Sequence, residues 1–191
     1  MTPGVPADAT IPRMLAHQAK TRPDAPAMRE KTMGIWRTLS WSAYYELVRD
    51  FALGLAALGF KRGDVLAVIG DNRPRLYAAQ LAAQCLGGIP STLYQDAPAE
   101  ELLYVLEHAE AGIVVAEDQE QVDKILAIGA RLPKLRLVVY DDTRGMFHYK
   151  DEKLRSFEAL LALGREFGQQ NKGYVEAEIA KGAPGDRKSV V

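Results

Sequence analysis

From Gly63 to Val115 the chain alternates strand, helix, strand, helix, strand, with a turn signal at each junction. Val65 to Ile69 is an apolar, β-branched run too short for a helix and stopped at Gly70. In Gly70-Asp71-Asn72-Arg73-Pro74, Asp71 or Asn72 is placed to cap a helix whose first turn Pro74 presets. That helix runs to Leu86 and ends at Gly87-Gly88. A second strand, Ile89 to Tyr94, carries Pro90, which has no amide hydrogen for a ladder and so belongs at a strand start or on a sheet edge. Asp96 and Pro98 open a helix bearing Leu102, Leu103, Val105, Leu106 and Ala109, and Ile113 to Val115 is the third strand. Strands alternating with helices through short links require parallel pairing with right-handed crossovers.

The flanking regions fit around this unit. Thr10 reads as an N-cap, with Pro12 in the first turn of a helix whose apolar positions are Ile11, Met14, Leu15 and Ala19. Pro26 to Glu30 and Trp36 to Leu39 read as an antiparallel hairpin turning around Met33-Gly34. Ser40 or Ser42 caps a long helix in which Tyr44, Val48, Phe51, Leu55 and Leu58 form one apolar stripe, closed by Gly59. Val122, Ile125 and Leu126 mark another helix, and Leu135 to Val139 a fourth parallel strand. Asp141 to Lys153 is polar and reads as a surface excursion carrying Phe147, His148 and Tyr149. A helix at Phe157, Leu160 and Leu161 follows, with Gly164, Gly168 and Gly173 expected to weaken what comes after it. The expected fold class is therefore α/β: about four parallel strands with flanking helices, preceded by an N-terminal helix and a short hairpin.

Composition narrows the function classes. At 191 residues, 48% apolar and 26% charged, the chain has enough material for one domain with a core. A net charge of -1 gives no basic footprint for nucleic acid. Residues 1–9 contain no basic cluster followed by an apolar block, so they read as a disordered N-terminus and not a signal peptide. No apolar run approaches the ~20 residues of a membrane span, and the expected location is cytoplasmic. The single cysteine, Cys85, sits in an apolar helix and reads as a small buried hydrophobe.

Several phrases carry a family resemblance: Gly70-Asp71-Asn72-Arg73-Pro74, Gln84-Cys85-Leu86-Gly87-Gly88-Ile89-Pro90, Leu93-Tyr94-Gln95-Asp96, and Tyr104-Val105-Leu106-Glu107-His108-Ala109-Glu110. To these are added Glu117 to Lys124, Val139-Tyr140-Asp141-Asp142, and Arg144-Gly145. From about Thr10 to Gly182 the chain resembles the N-terminal region of bacterial long-chain acyl-CoA synthetases (long-chain fatty acid–CoA ligases), a branch of the adenylate-forming, AMP-binding ligases. The resemblance implies a partial AMP-binding domain over 10–180, an incomplete N-terminal subdomain of that fold, with an irregular tail over 181–191. The complete family enzyme uses ATP, Mg2+ and CoA to convert a fatty acid to acyl-CoA, AMP and diphosphate through an acyl-adenylate. The family's phosphate loop, Thr-Ser-Gly-Thr-Thr-Gly followed by a lysine, does not occur in this sequence. The resemblance therefore implies a chain that is inactive alone.

No residue earns a catalytic, cofactor-binding or metal-ligating role from the sequence. Gly182, Lys188 and Ser189 mimic P-loop spacing, but Arg187 stands where glycine is needed and no strand precedes Gly182. Gly70 to Pro74 has one glycine where a dinucleotide fingerprint needs three. His17, His108 and His148 lack ligands at metal spacing, and His108 reads as a solvated or capping residue. Asp71 and Asn72 could leave helix amides free for an anion, although capping is the plainer use. Tyr94 and Gln95 follow a strand end, where ligands of parallel sheets sit, but read as packing residues, as do Trp36 and Trp41. The alternative to a ligase fragment is a non-catalytic α/β interaction or dimerisation module, associating or aggregating through sheet surface left uncovered. A self-contained nucleotide-binding enzyme of another class ranks third.

Overall fold

The computed structural model describes residues 9–184. Residues 1–8 and 185–191, including Arg187, Lys188 and Ser189, lie outside the described residues.

Helix α1 (Ile11–Thr21) starts where Thr10 accepts a hydrogen bond from the Arg13 amide. Strands β1 (Pro26–Thr32) and β2 (Ile35–Ser40) pair antiparallel with Thr32 opposite Ile35, so Met33 and Gly34 form a two-residue turn, both with positive φ. Of the two candidate serines, Ser40 caps α2 (Trp41–Ala57), accepting from the Ala43 amide. The Ser42 hydroxyl donates instead to the Pro23 carbonyl.

Next come β3 (Val65–Ile69), α3 (Pro74–Cys85), β4 (Ile89–Leu93), α4 (Ala99–His108), β5 (Ile113–Ala116), α5 (Gln119–Ile128) and β6 (Leu137–Tyr140). The strand β7 (Leu154–Ser156) and the helices α6 (Phe157–Gln170) and α7 (Tyr174–Ala180) complete the described chain. The sheet has five strands in the order β4-β3-β5-β6-β7, and every adjacent pair is parallel. Pro90 does lie on an edge strand, β4, as its missing amide hydrogen requires.

Period-2 alternation divides the sheet between two cores. Leu66, Val68, Ile113, Val115, Leu137 and Val139 face α1, α2, α3, α6 and α7; Ala67, Ile69, Val114, Ala116 and Val138 face α4 and α5. Helices of this chain thus cover both faces of the sheet, so the expectation of an uncovered sheet applies only to its edges, β4 and β7.

Three sequence expectations need correction. The polar stretch 141–153 does run over the surface, with Met146 its one residue buried in the second core, but it is also the crossover to a fifth parallel strand beyond the four expected. At three residues, β7 is too short for a periodic signal. Gly164 and Gly168 do not end the helix begun at Phe157; both lie inside α6. A Cβ at Gly164 would meet the Asp50 carbonyl oxygen of α2 and stand 2.7 Å from the Gly54 nitrogen, and one at Gly54 would meet the Leu160 backbone. The two helices therefore touch backbone to backbone, which only glycine allows. Finally, Trp36 is 65% exposed on β2 and not in the core, whereas Trp41 packs against the first core as expected.

Candidate functional site

In the order β4-β3-β5-β6-β7 the connections diverge from β3: β4 lies on one side of it and β5 on the other. In open α/β sheets that divergence leaves a crevice beyond the carboxyl ends of the two central strands, where ligands bind. Here the crevice lies between Gly70, after β3, and Glu117, after β5.

Glu117 fills it. One carboxylate oxygen accepts from the Asp71 backbone amide, and the other accepts from Arg73 Nε at 3.0 Å. Arg73 continues to Glu30 of β1 at 3.3 Å, tying the hairpin to the sheet, and its guanidinium is held protonated chiefly by the hydrogen bond to Glu117. Gly70 has a φ of +147°, and a Cβ there would collide with Glu117 Cβ and lie 2.8 Å from Leu76 Cδ1. Glycine is needed here because this chain's own side chains press against the strand end.

Polar residues surround this closure. Gln95 Nε2 donates to Asp71 at 2.9 Å, Tyr77 donates to Asn72 at 2.8 Å, and Lys124 donates to the Gln95 carbonyl at 2.7 Å. Arg75, at the start of α3, bonds Asp141 at 2.8 Å, pairs with Glu158, and lies 4.9 Å over the Phe157 ring. Burial raises the Asp141 carboxyl above its ordinary range despite the Arg75 bond that pulls it down. Asp142 goes the other way, lowered first by its hydrogen bond from Arg144. Tyr149 reaches Asp123 and accepts from Gln119 at 3.0 Å.

The predicted cap of α3 is thus corrected. Its N-cap is Arg73, with no side-chain cap bond, while Asp71 and Asn72 turn to Gln95 and Tyr77. The Asp71 amide does bind an anion, an internal one. Tyr94 is 72% exposed and does not pack; Gln95 is part of the network. His17 lies on α1, His108 ends α4 stacked on Tyr104, and His148 sits beside Phe147. No group of three or more His, Cys, Asp or Glu among the described residues could hold a metal ion. Cys85 is buried, and burial pushes its thiol up to about 12, as expected of a small core residue. Sequence reasoning missed Glu117 and Arg73 because their pairing spans three elements; the only local signal was that each follows a strand end.

Asp71, Glu117, Asp141 and Asp142 stand at the strand ends, and the last three are each paired with an arginine of this chain, Arg73, Arg75 and Arg144. The Glu117 carboxylate already takes the backbone amide a phosphate would seek.

The family model described as AMP-binding enzyme matches residues 15–174. The chain belongs to the AMP-binding enzyme family. Within the family it is 30% identical over 162 residues to long-chain-fatty-acid–CoA ligase ACSBG1 of Bos taurus, covering 84% of this chain and 22% of that one. It is also 30% identical over 176 residues to ACSBG2 of Xenopus laevis, covering 90% and 23% respectively. An uncharacterized protein of Mycobacterium tuberculosis H37Rv is 39% identical over 107 residues, which is 56% of this chain and 59% of that protein. The chain thus spans less than a quarter of the two ligases it matches. Among solved structures, acetoacetyl-CoA synthetase from Streptomyces lividans superposes with a TM-score of 0.70 at 23% identity, over 79% of this chain and 24% of that one. An anthranilate CoA ligase in complex with anthranoyl-AMP gives 0.71 at 18% identity, over 82% and 28%. Both likenesses establish the fold. No helix among the described residues is long and apolar enough to cross a membrane.

Proposed function

We propose that this chain is scaffold from the N-terminal part of a long-chain fatty acid–CoA ligase, whose complete form consumes ATP, a fatty acid and CoA with Mg2+ to give acyl-CoA, AMP and diphosphate. By itself it does not catalyse that reaction. The observation that carries this reading is the internal closure of the strand-end crevice by Glu117, in a chain that aligns with less than a quarter of its ligase relatives. The family's Ser/Thr/Gly-rich phosphate loop also does not occur in this sequence. Purified chain given ATP, Mg2+, palmitate and CoA should release neither AMP nor diphosphate above background; turnover would refute the reading.

A second reading, an interaction or dimerisation module, is favoured by the exposed hairpin apolar residues Met33, Ile35 and Trp36. Light scattering after size exclusion separates the two. A concentration-independent monomer removes the module reading as far as self-association is concerned.

A further inference from the structure

The turn of the hairpin is built against local preference. Two-residue turns with positive φ at both positions favour Asn, Asp or Gly at the first, and Met33 stands there with a φ of +50°. Its side chain is 91% exposed, so no burial among the described residues offsets the strained backbone. Beside it Ile35 is 66% exposed, and Trp36 is as open. As successive residues of β2 these two point to opposite faces of the ribbon, so the tip is apolar on both sides and at its end. A flat protein partner would cover one of those faces, whereas a medium that surrounds the tip buries all three side chains together.

Behind the tip lies a collar of positive charge. Lys31 stands opposite Trp36 in the ladder and Arg37 opposite Glu30, with Arg29 further back on β1. Arg29, Lys31 and Arg37 are exposed and make no ion pair with any of the described residues. Glu30 is the one acidic residue from Pro26 to Ser40, and Arg73 already pairs with it at 3.3 Å. The net charge of -1 over the whole chain conceals this local excess. At the base of the hairpin Met28 and Leu39 pack against the first core, so the ribbon is anchored and only its tip stands clear. At about 3.4 Å per residue, Arg37 lies roughly 7 Å behind Ile35. That is the depth to which an interfacial segment sinks its apolar residues below the lipid head groups.

We propose that the hairpin is an interfacial anchor: Met33, Ile35 and Trp36 enter the head-group layer of an anionic lipid bilayer while Arg29, Lys31 and Arg37 meet its acidic phosphates. The contact is peripheral, through the ribbon tip alone. It is independent of the ligase reading, and it gives the hairpin an occupant other than a second copy of the chain.

Flotation of the intact chain with vesicles of pure phosphatidylcholine and with vesicles rich in phosphatidylserine is the test. Binding should favour the anionic vesicles roughly a hundredfold, about fivefold for each of the three cations, and should weaken with salt. Lys31→Gln with Arg37→Gln should lower it roughly twenty-five-fold. Met33→Asn with Trp36→Thr should lower it at least about tenfold by removing the apolar tip. Asparagine suits the positive φ at position 33, so this variant should melt no earlier than the wild type. If either variant does not fold, wild-type tryptophan emission decides: quenching by phosphatidylserine vesicles brominated on their acyl chains supports insertion, and unchanged emission overturns it. Absence of flotation, equal flotation on both lipids, or flotation indifferent to both double substitutions overturns the anchor. So does a concentration-dependent dimer that Met33→Asn with Trp36→Thr dissolves while anionic vesicles leave the wild type unbound, because the occupant is then a second copy.

Discussion

Replacing Gly164 by alanine tests the close crossing of α2 and α6 on which the first core depends. The new methyl group would meet the Asp50 carbonyl oxygen and lie 2.7 Å from the Gly54 nitrogen. Both obstacles are backbone, so no rotamer change relieves them and the helices must separate. Overpacking a close-packed site costs about 1–3 kcal/mol, and a clash against backbone belongs at or above the top of that range. Alanine is the better helix former by about 1 kcal/mol, which offsets part of the clash. The net expectation is a loss of about 2 kcal/mol, or roughly 1 M in the urea midpoint for an m value of about 2 kcal/mol/M. Gly129→Ala is the control, because a Cβ there meets nothing within 4 Å. It should be neutral or slightly stabilising. Equilibrium urea unfolding of both variants by circular dichroism is the assay. If Gly164→Ala matches the wild type or exceeds it, the backbone contact does not exist in solution.

Three further outcomes follow from the site and the caps. Glu117→Ala leaves the Asp71 amide and Arg73 Nε without their acceptor and should cost about 2 kcal/mol in urea unfolding, Glu117→Gln less; no loss in either would show that the crevice is not closed as described. Ser40→Ala should cost about 1 kcal/mol and Ser42→Ala less, since Ser40 alone caps α2; the reverse order in thermal melts would reject the cap. Burial raises the Cys85 thiol from an ordinary 9.0 to about 12, so the folded state holds its proton where the unfolded state releases it. That preference costs nothing below pH 9 and removes stability as pH rises through this window. Between pH 8 and pH 10 the wild type should lose about 1 kcal/mol more than Cys85→Ala does, and identical profiles would count against it.

Much of the α/β frame was legible in the sequence. Val65 to Ile69 and Pro74 to Cys85 could be read almost to the residue, because a β-branched run, a proline at N1 and a paired-glycine stop each act within a few residues. The hairpin turn at Met33-Gly34 was legible for the same reason. β7 was not, because three residues carry no period. α6 was cut short in the reading because glycine lowers local helix propensity, while the contact of Gly164 with Asp50 of α2 outweighs that cost. At the candidate site, Asp71 and Asn72 were placed correctly at the start of α3 but with the wrong partners. The capping preference of a side chain is local, and the Gln95 and Tyr77 bonds that replaced it come from a different strand end and the next helical turn.

Hydrophobic period, caps and turns set the class of fold, because these are interactions between residues near in sequence, whereas the family likeness rested on whole phrases such as Gly70 to Pro74 and Gln84 to Pro90. Whether the crevice beside β3 stays open was decided only in three dimensions. Glu117, Arg73 and Glu30 come from a strand end, a helix start and the hairpin, and their charges find one another only after the parallel sheet has brought those elements together.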